Sequence, residues 1–148
     1  MVYGKSIKNY DRTLIQTAGK LDLVILCYEK AIQLLNQAKD HYLDHETEKK
    51  VYKIKKVIDI LNELNGSLNM DKGGQIAVNL QSIYTYLIKI ILSGDINKDP
   101  SAYDDGIRIL SELKEAWDQV SSQETNQDQE SENPDQNEKK YHFSQVAA

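Results

Sequence analysis

The sequence has 148 residues, of which 40% are hydrophobic, so it is long enough to form one domain with a substantial core. Its 18 lysines and arginines face 23 acidic residues, which gives a net charge of −5. This balance argues against a nucleic-acid-binding protein, which needs a basic surface to neutralise phosphates. The single cysteine, Cys27, excludes an internal disulfide and a cysteine-based zinc site. Without an apolar signal region or an uninterrupted apolar run of about 18 residues, we expect cytoplasmic residence and no membrane insertion.

Four stretches carry apolar residues at alternating spacings of three and four, the pattern of one face of an amphipathic helix. The predicted stripes are Leu21, Val24, Tyr28, Ala31, Leu35, Ala38 and Tyr42 in residues 19–44; Ile54, Val57, Leu61, Leu64 and Leu68 in 47–70; Ile76, Leu80, Ile83, Leu87 and Ile90 in 75–93; and Tyr103, Ile107, Leu110, Leu113, Trp117 and Val120 in 101–120. Short connections between helices favour antiparallel neighbours. The sequence therefore predicts an all-α fold, an antiparallel up-down-up-down four-helix bundle over residues 19–120.

The connections between the predicted helices have recognisable chemistry. Residues 71–74, Asp-Lys-Gly-Gly, predict the break between the second and third helices, because glycine commonly ends a helix. Asp99 is a suitable N-cap for the fourth helix, with Pro100 as its first residue.

The two ends of the chain differ from the bundle. Residues 1–18 lack a long stripe, and Ile7, Tyr10, Leu14 and Ile15 predict one or two short helical turns. Residues 121–148 hold six acids and two lysines, and 121–138 contain no hydrophobic residue, so we predict a disordered acidic tail. The last ten residues regain Tyr141, Phe143 and Val146, which suit either a short docking motif or an adhesive end.

Several apolar residues fall outside the stripes, which a solvated bundle does not require. Leu23 and Leu26 are displaced in the first helix, and Val78, Tyr86, Ile88 and Leu92 in the third. They predict burial against the N-terminal segment, a second copy of the chain or a foreign chain. A wide core face is the alternative, and it explains Leu23 equally well.

No catalytic constellation is recognisable in the sequence, and we expect neither a cofactor nor a metal. His41 and His45 stand four residues apart near Glu48, but the several carboxylates of a bundle metal site are missing. Cys27 has no histidine or cation placed to generate a thiolate, which favours a buried, inert side chain. We therefore interpret the chain as a binding protein rather than an enzyme. The alternatives are a homo-oligomeric bundle and a metal-dependent or small-molecule bundle using His41, His45 and Glu48.

A series of separated motifs resembles the flagellar export chaperones of the FliS family. The motifs, in order, are Tyr10-x6-Thr17-Ala18; Leu23-Val24-x-Leu26-Cys27-Tyr28-x-x-Ala31-Ile32; Ile58-x-x-Leu61-x6-Leu68-Asn69; Gly73-Gly74-x-Ile76-Ala77-x-Asn79-Leu80; Ile83-Tyr84-x-Tyr86-Leu87; Ile96-x-Lys98-Asp99; and Leu110-x-x-Leu113-x-x-x-Trp117. The resemblance covers roughly residues 7–120. The chain departs from the family pattern at Gly19-Lys20, where Ser-Pro is usual, and at Gly94-Asp95, where Ala-Asn is usual.

The resemblance implies a cytoplasmic chaperone without ATPase activity. Such proteins bind the disordered C-terminal region of flagellin, prevent its premature polymerisation and deliver it to the export gate of the flagellar type III apparatus. In the free chaperone, a monomer or weak dimer, the resemblance implies that the N-terminal segment lies over part of the flagellin groove. The residues expected in the cap or groove are Tyr10, Leu14, Ile15, Leu23, Leu26, Tyr86, Ile88 and Leu92.

Overall fold

The computed structural model describes the backbone of residues 19–128 and the side chains through residue 123. Within these residues the chain forms four helices: α1 is Lys20–Leu43, α2 is Thr47–Gly66, α3 is Met70–Ile96 and α4 is Ser101–Asp128. α1 packs closely along α2 and α4, whereas α3 approaches the same two helices less closely. The four helices therefore form a ring in which α1 and α3 stand diagonally opposite one another.

Polar contacts between neighbouring helices show their relative directions. Lys39, late in α1, pairs with Asp104, early in α4, at 2.7 Å. At the other end of the bundle, the Ser121 hydroxyl of α4 donates to the Asp22 carboxylate of α1 at 3.1 Å. Lys50, early in α2, reaches Asp95, late in α3, at 2.7 Å. α1 and α4 thus run antiparallel, as do α2 and α3, and the four helices confirm the predicted all-α bundle.

The core is built mainly from the predicted stripes. Tyr28, Leu35, Leu61, Leu87 and Leu110 are fully buried and come from all four helices. Burial of each such aliphatic side chain contributes about 1.5–3 kcal/mol to folding. The widest departure in α1 is that Ile25 and Leu34, outside the predicted stripe, are also buried, so this helix presents a broad core face.

The predicted stripe of α3 was partly wrong in its orientation: Leu80 and Leu87 are buried as predicted, but the other three residues are not fully buried. The buried line is Ala77, Leu80, Tyr84, Leu87 and Ile91. The predicted residues Ile76, Ile83 and Ile90 are instead only partly buried, at one margin of the core. Both lines have helical spacing. Turning α3 about its own axis by less than the roughly 100° between successive residues would exchange one line for the other. Periodicity alone could not choose between them because α3 is apolar on more than one side.

The connection between α2 and α3 also differs from the prediction. The break falls at residues 67–69, and the Asn69 side chain caps α3 by accepting from the Lys72 N–H at 2.9 Å. The glycine pair lies inside the first turns of α3, where Gly74 has a φ of +54° and introduces a kink. Only glycine adopts this backbone conformation without strain, so Gly74 marks a kink rather than a helix end.

The start of α4 follows the predicted chemistry with a shift of one residue. The Asp99 carboxylate accepts from the Ser101 N–H at 3.1 Å and from the Ser101 hydroxyl at 2.6 Å. The first helical residue is Ser101, not Pro100.

The end of α4 lies beyond the predicted one. The helix continues to Asp128, eight residues past the expected boundary at 120. Extending an existing helix costs little because nucleation is the expensive step, and Gln and Glu are good helix formers. The predicted disorder of residues 121–128 is therefore wrong. The predictions for residues 1–18 and 129–148 lie outside the described residues.

Candidate functional site

α3 carries more apolar surface than the core uses. It has 27 residues, and an 18-residue window within it has a mean hydropathy of 1.3, high enough for a membrane-crossing helix by length and composition alone. Core helices of soluble proteins meet the same criterion, but only 28% of this window is buried inside the bundle. The unburied apolar residues of α3 are therefore the first place to look for a binding surface.

One apolar strip lies along the edge of α3 that faces α2. The Lys50–Asp95 ion pair identifies this edge, and Ile88 and Leu92 lie seven and three residues before Asp95, at helical spacing. Ile88 packs partly against the core, whereas 42% of Leu92 is exposed. On the facing edge of α2, Ile58 is partly buried and 48% of Val51 is exposed. We call the surface formed by these four residues, Val51, Ile58, Ile88 and Leu92, the α2–α3 groove.

Tyr86 does not belong to the α2–α3 groove. It follows Ile83 and precedes Ile90, the residues that form the opposite margin of the core on α3, towards α4. About 200° separates Tyr86 from Ile88 on the helix. Tyr86 is 54% exposed. The structure therefore brings Ile88 and Leu92 together but places Tyr86 on the other flank of the same helix.

The predicted site residues of α1, Leu23 and Leu26, lie on a third part of the surface, apart from the α2–α3 groove and from Tyr86. Leu23 and Leu26 are partly buried, yet neither is among the side chains packed against the described core. Lys30, seven residues after Leu23, approaches Lys53 of α2, so Leu23 lies on the edge of α1 towards α2. Leu26 faces away from the bundle axis. Diagonal packing of α1 and α3 thus separates these leucines from the α3 residues.

Tyr10, Leu14 and Ile15 lie outside the described residues, and their place in a cap remains a prediction. Sequence reasoning missed several exposed apolar side chains: Leu43, Val51, Tyr52, Met70 and Ile96. For Val51 a signal was present, since Val51 and Ile58 are seven residues apart beside the predicted stripe of α2. Ile96, at 80% exposure, ends α3 and has no such pattern.

Of the polar candidates in the sequence, His41 makes a local side-chain contact. His41 Nδ1 lies 3.2 Å from the Glu46 carboxylate, which also pairs with Lys49 at 2.6 Å. Among the described residues no group of three or more histidines, cysteines and acids is placed to hold a metal ion. Burial, followed by the nearby Glu63 carboxylate, raises the pKa of the Cys27 thiol to about 11, which keeps it protonated at neutral pH.

Fold and surface together define a four-helix bundle with apolar residues on separate outer surfaces. Comparison with known proteins identifies the family. The family model described as "Flagellar protein FliS" matches residues 3–124, so the chain belongs to the FliS family.

Named relatives come from several bacteria. The chain is 32% identical over 106 residues to the flagellar secretion chaperone FliS of Vibrio cholerae, covering 72% of this chain and 78% of the relative. It is 29% identical over 126 residues to the protein of the same name in Salmonella typhimurium, covering 82% and 93%. With the Escherichia coli K12 protein of that name it shares 23% identity over 104 residues, covering 70% and 76%. The chain is thus a member of a family of flagellar secretion chaperones.

Proposed function

We propose that this protein is a cytoplasmic chaperone that binds the disordered C-terminal region of flagellin. It holds flagellin unpolymerised and delivers it to the flagellar export gate. The observation that carries the proposal is the incomplete burial of α3, with exposed apolar side chains on both flanks, in a member of a secretion-chaperone family.

Recognition follows from the shape of the surfaces. An amphipathic client helix lays residues at i, i+3, i+4 and i+7 into an apolar groove, and the α2–α3 groove offers such a line. The separate position of Tyr86 and the outer face of α1 suit a client that wraps around the bundle. Apolar burial contributes about 25 cal/mol per Å². Ordering a disordered client opposes binding by about 2–5 kcal/mol or more, so a large wrapped surface is needed.

The test is calorimetric titration of the full chain with a flagellin C-terminal peptide. We expect a one-to-one complex and an increase in helix content by circular dichroism. Leu92→Gln and Tyr86→Ser, on opposite flanks of α3, should each weaken binding. Leu43→Ser is the matched control, since Leu43 is 61% exposed but lies at the end of α1.

Light scattering on the same samples separates the proposal from the homo-oligomeric alternative. A monomer that forms a heterodimer with the peptide supports the chaperone. A stable dimer that ignores the peptide contradicts it.

A further inference from the structure

Positive charge is concentrated in one part of this acidic protein. Five lysines, at positions 49, 50, 53, 55 and 56, fall within eight residues of α2. Lys49 pairs with Glu46 at 2.6 Å, and Lys50 pairs with Asp95 at 2.7 Å. Among the described residues, Lys53 has no acidic partner. Lys53 is therefore a cation in the early turns of α2 that no described acidic side chain offsets.

A lysine of α1 adds further positive charge beside the lysines of α2. Lys53 and Lys56 stand three residues apart on one face of α2. Burial, then Lys56 and then Lys30 of α1 lower the pKa of Lys53, so both cations lie near Lys53. Lys30, on α1, bonds to the Gln33 amide oxygen at 3.4 Å and forms no ion pair within the described part of the chain. Lys56 Nζ lies 4.4 Å from the centre of the Tyr52 ring. We call the surface formed by Lys30, Lys53, Lys56 and Tyr52 the α1–α2 basic face.

Like charges held partly buried favour an anionic partner, because an opposite charge offsets both the repulsion and the desolvation. Residues 129–138 carry four carboxylates, at Glu130, Glu132, Asp135 and Glu138, and no cation. We propose that this C-terminal segment docks on the α1–α2 basic face, with the carboxylates far enough along it, Asp135 and Glu138, paired to lysines of that face.

The C-terminal segment begins at an end of the bundle from which it can reach the α1–α2 basic face. The Ser121–Asp22 hydrogen bond places the end of α4 beside the start of α1. The helical rise of 1.5 Å per residue gives about 22 Å from Asp128 back to the level of Lys30. An extended chain spans about 3.3 Å per residue, so Asp135 and Glu138 reach roughly 23–33 Å beyond Asp128. The tether also provides a local concentration of order millimolar, which a free acidic peptide lacks.

The docked segment would cover a face distinct from the α2–α3 groove. The α1–α2 basic face and the groove lie on opposite edges of α2. The inference therefore does not depend on the identity of the client.

Zero-length carbodiimide cross-linking of the full chain, read by peptide mass spectrometry, tests the docking. We expect amide cross-links between the basic-face lysines and the carboxylates of Asp135 and Glu138, which are far enough along the segment to reach them. Their yield should fall roughly threefold or more on raising NaCl to about 0.5 M, because salt shortens the Debye length from about 10 Å at 0.1 M towards 3 Å at 1 M. The K30Q/K53Q/K56Q variant removes these cross-linking sites. Amine acetylation of wild-type Lys53 should rise severalfold when the chain is truncated after residue 128.

The matched control is K72Q/K89Q/K98Q, three exposed lysines outside α1 and α2, which should leave the cross-links intact. Mixing ¹⁴N- and ¹⁵N-labelled chains distinguishes docking within one chain from docking on a second copy. Tail cross-links spread evenly over Lys72 and Lys89 would overturn the proposal. So would mixed-isotope cross-links alone, or an unchanged Lys53 acetylation rate in a truncated chain with native helix content.

Discussion

The Tyr28 and Tyr84 hydroxyl oxygens lie 2.5 Å apart at the centre of the bundle and join the diagonal helices α1 and α3 by a buried hydrogen bond. The two rings are tilted at 50° with centroids 6.3 Å apart, and Tyr28 also meets the edge of Trp117. Each hydroxyl has little access to water, so each depends on the other for a partner. This pair fixes the position of α1 along its axis relative to α3.

Removal of one hydroxyl should cost more than removal of both. Tyr84→Phe leaves the Tyr28 hydroxyl buried without its partner, and we expect a loss of about 1–3 kcal/mol in the free energy of unfolding. The double variant Tyr28→Phe/Tyr84→Phe should recover part of this loss, because no polar group is then orphaned. Urea denaturation measures both, with the exposed Tyr86→Phe as a neutral control. Simple additivity of the two substitutions would contradict a specific pair.

Gly94 marks the closest approach of α3 to the start of α4. A Cβ added at Gly94 would lie 2.2 Å from the Ala102 Cβ and 3.2 Å from the Asp99 carbonyl oxygen. Gly94→Ala should therefore destabilise the bundle by about 1–3 kcal/mol, despite the better helix propensity of alanine.

Two further variants isolate the clash at Gly94. Gly94→Ala/Ala102→Gly should regain stability, since the opposing methyl group is removed. Gly66→Ala, which meets nothing within 4 Å, should be neutral or stabilising by up to about 1 kcal/mol. If thermal melts show no loss for Gly94→Ala, the two helices do not pack at this distance.

Trp117 is 4% exposed and completes the core stripe of α4. Trp117→Ala should cost about 3–5 kcal/mol, through lost burial and the cavity left beside Tyr28. Because the variant has no tryptophan fluorescence, helix content during chemical denaturation is the suitable measurement. A fully stable variant that no longer bound flagellin peptide would instead assign Trp117 to the binding surface.

Alkaline pH should lower the free energy of unfolding, because the Cys27 thiol and the Tyr84 hydroxyl lose their protons more easily in the unfolded chain. Burial and Glu63 raise the pKa of Cys27 from 9.0 to about 11, and burial raises the pKa of Tyr84 from 10.0 to about 12. The folded state therefore binds more protons, and stability should decline progressively between pH 9 and 12.

Thiolate absorbance checks the cysteine contribution directly. The transition should centre near pH 11 in the folded protein and near 9 in urea. A coincident titration of the folded and unfolded thiol would show that Cys27 is not protected by the bundle.

Deletion of residues 1–12 tests the predicted cap. A segment that competes for the client groove lowers apparent affinity by the fraction of closed molecules, so its removal should strengthen or preserve flagellin-peptide binding. Peptide titration and circular dichroism are measured together. Lost binding in a folded bundle would make Tyr10 a direct contact, whereas lost folding would show permanent packing of the segment.

The apolar spacing by itself determined the number of helices, their approximate extents and most of the core. Leu61, Leu110 and Trp117 could be predicted because largely polar outer faces left one orientation for α2 and α4. In α1 the long stripe from Leu21 to Tyr42 identified Tyr28, although Leu23 and Leu26 lie outside it. α3 could not be oriented in this way, since Ile76-Ile83-Ile90 and Ala77-Tyr84-Ile91 have the same spacing. The Tyr28–Tyr84 contact and the close approach of Gly94 to Ala102 accompany the second orientation, and both depend on residues distant in sequence.

The sequence also could not show how apolar surface residues of different helices are arranged relative to one another. Periodicity identified Leu23, Leu26, Tyr86, Ile88 and Leu92 as apolar residues in excess of the core, which is a property of each helix alone. Only the tertiary structure divided them among three surfaces and added Val51 to the α2–α3 groove. The composition of the chain likewise showed an acidic protein, whereas the positions of Lys30 and Lys53 on adjoining helices decided where positive charge accumulates. Sequence sets what each helix carries, and packing decides which residues of different helices meet.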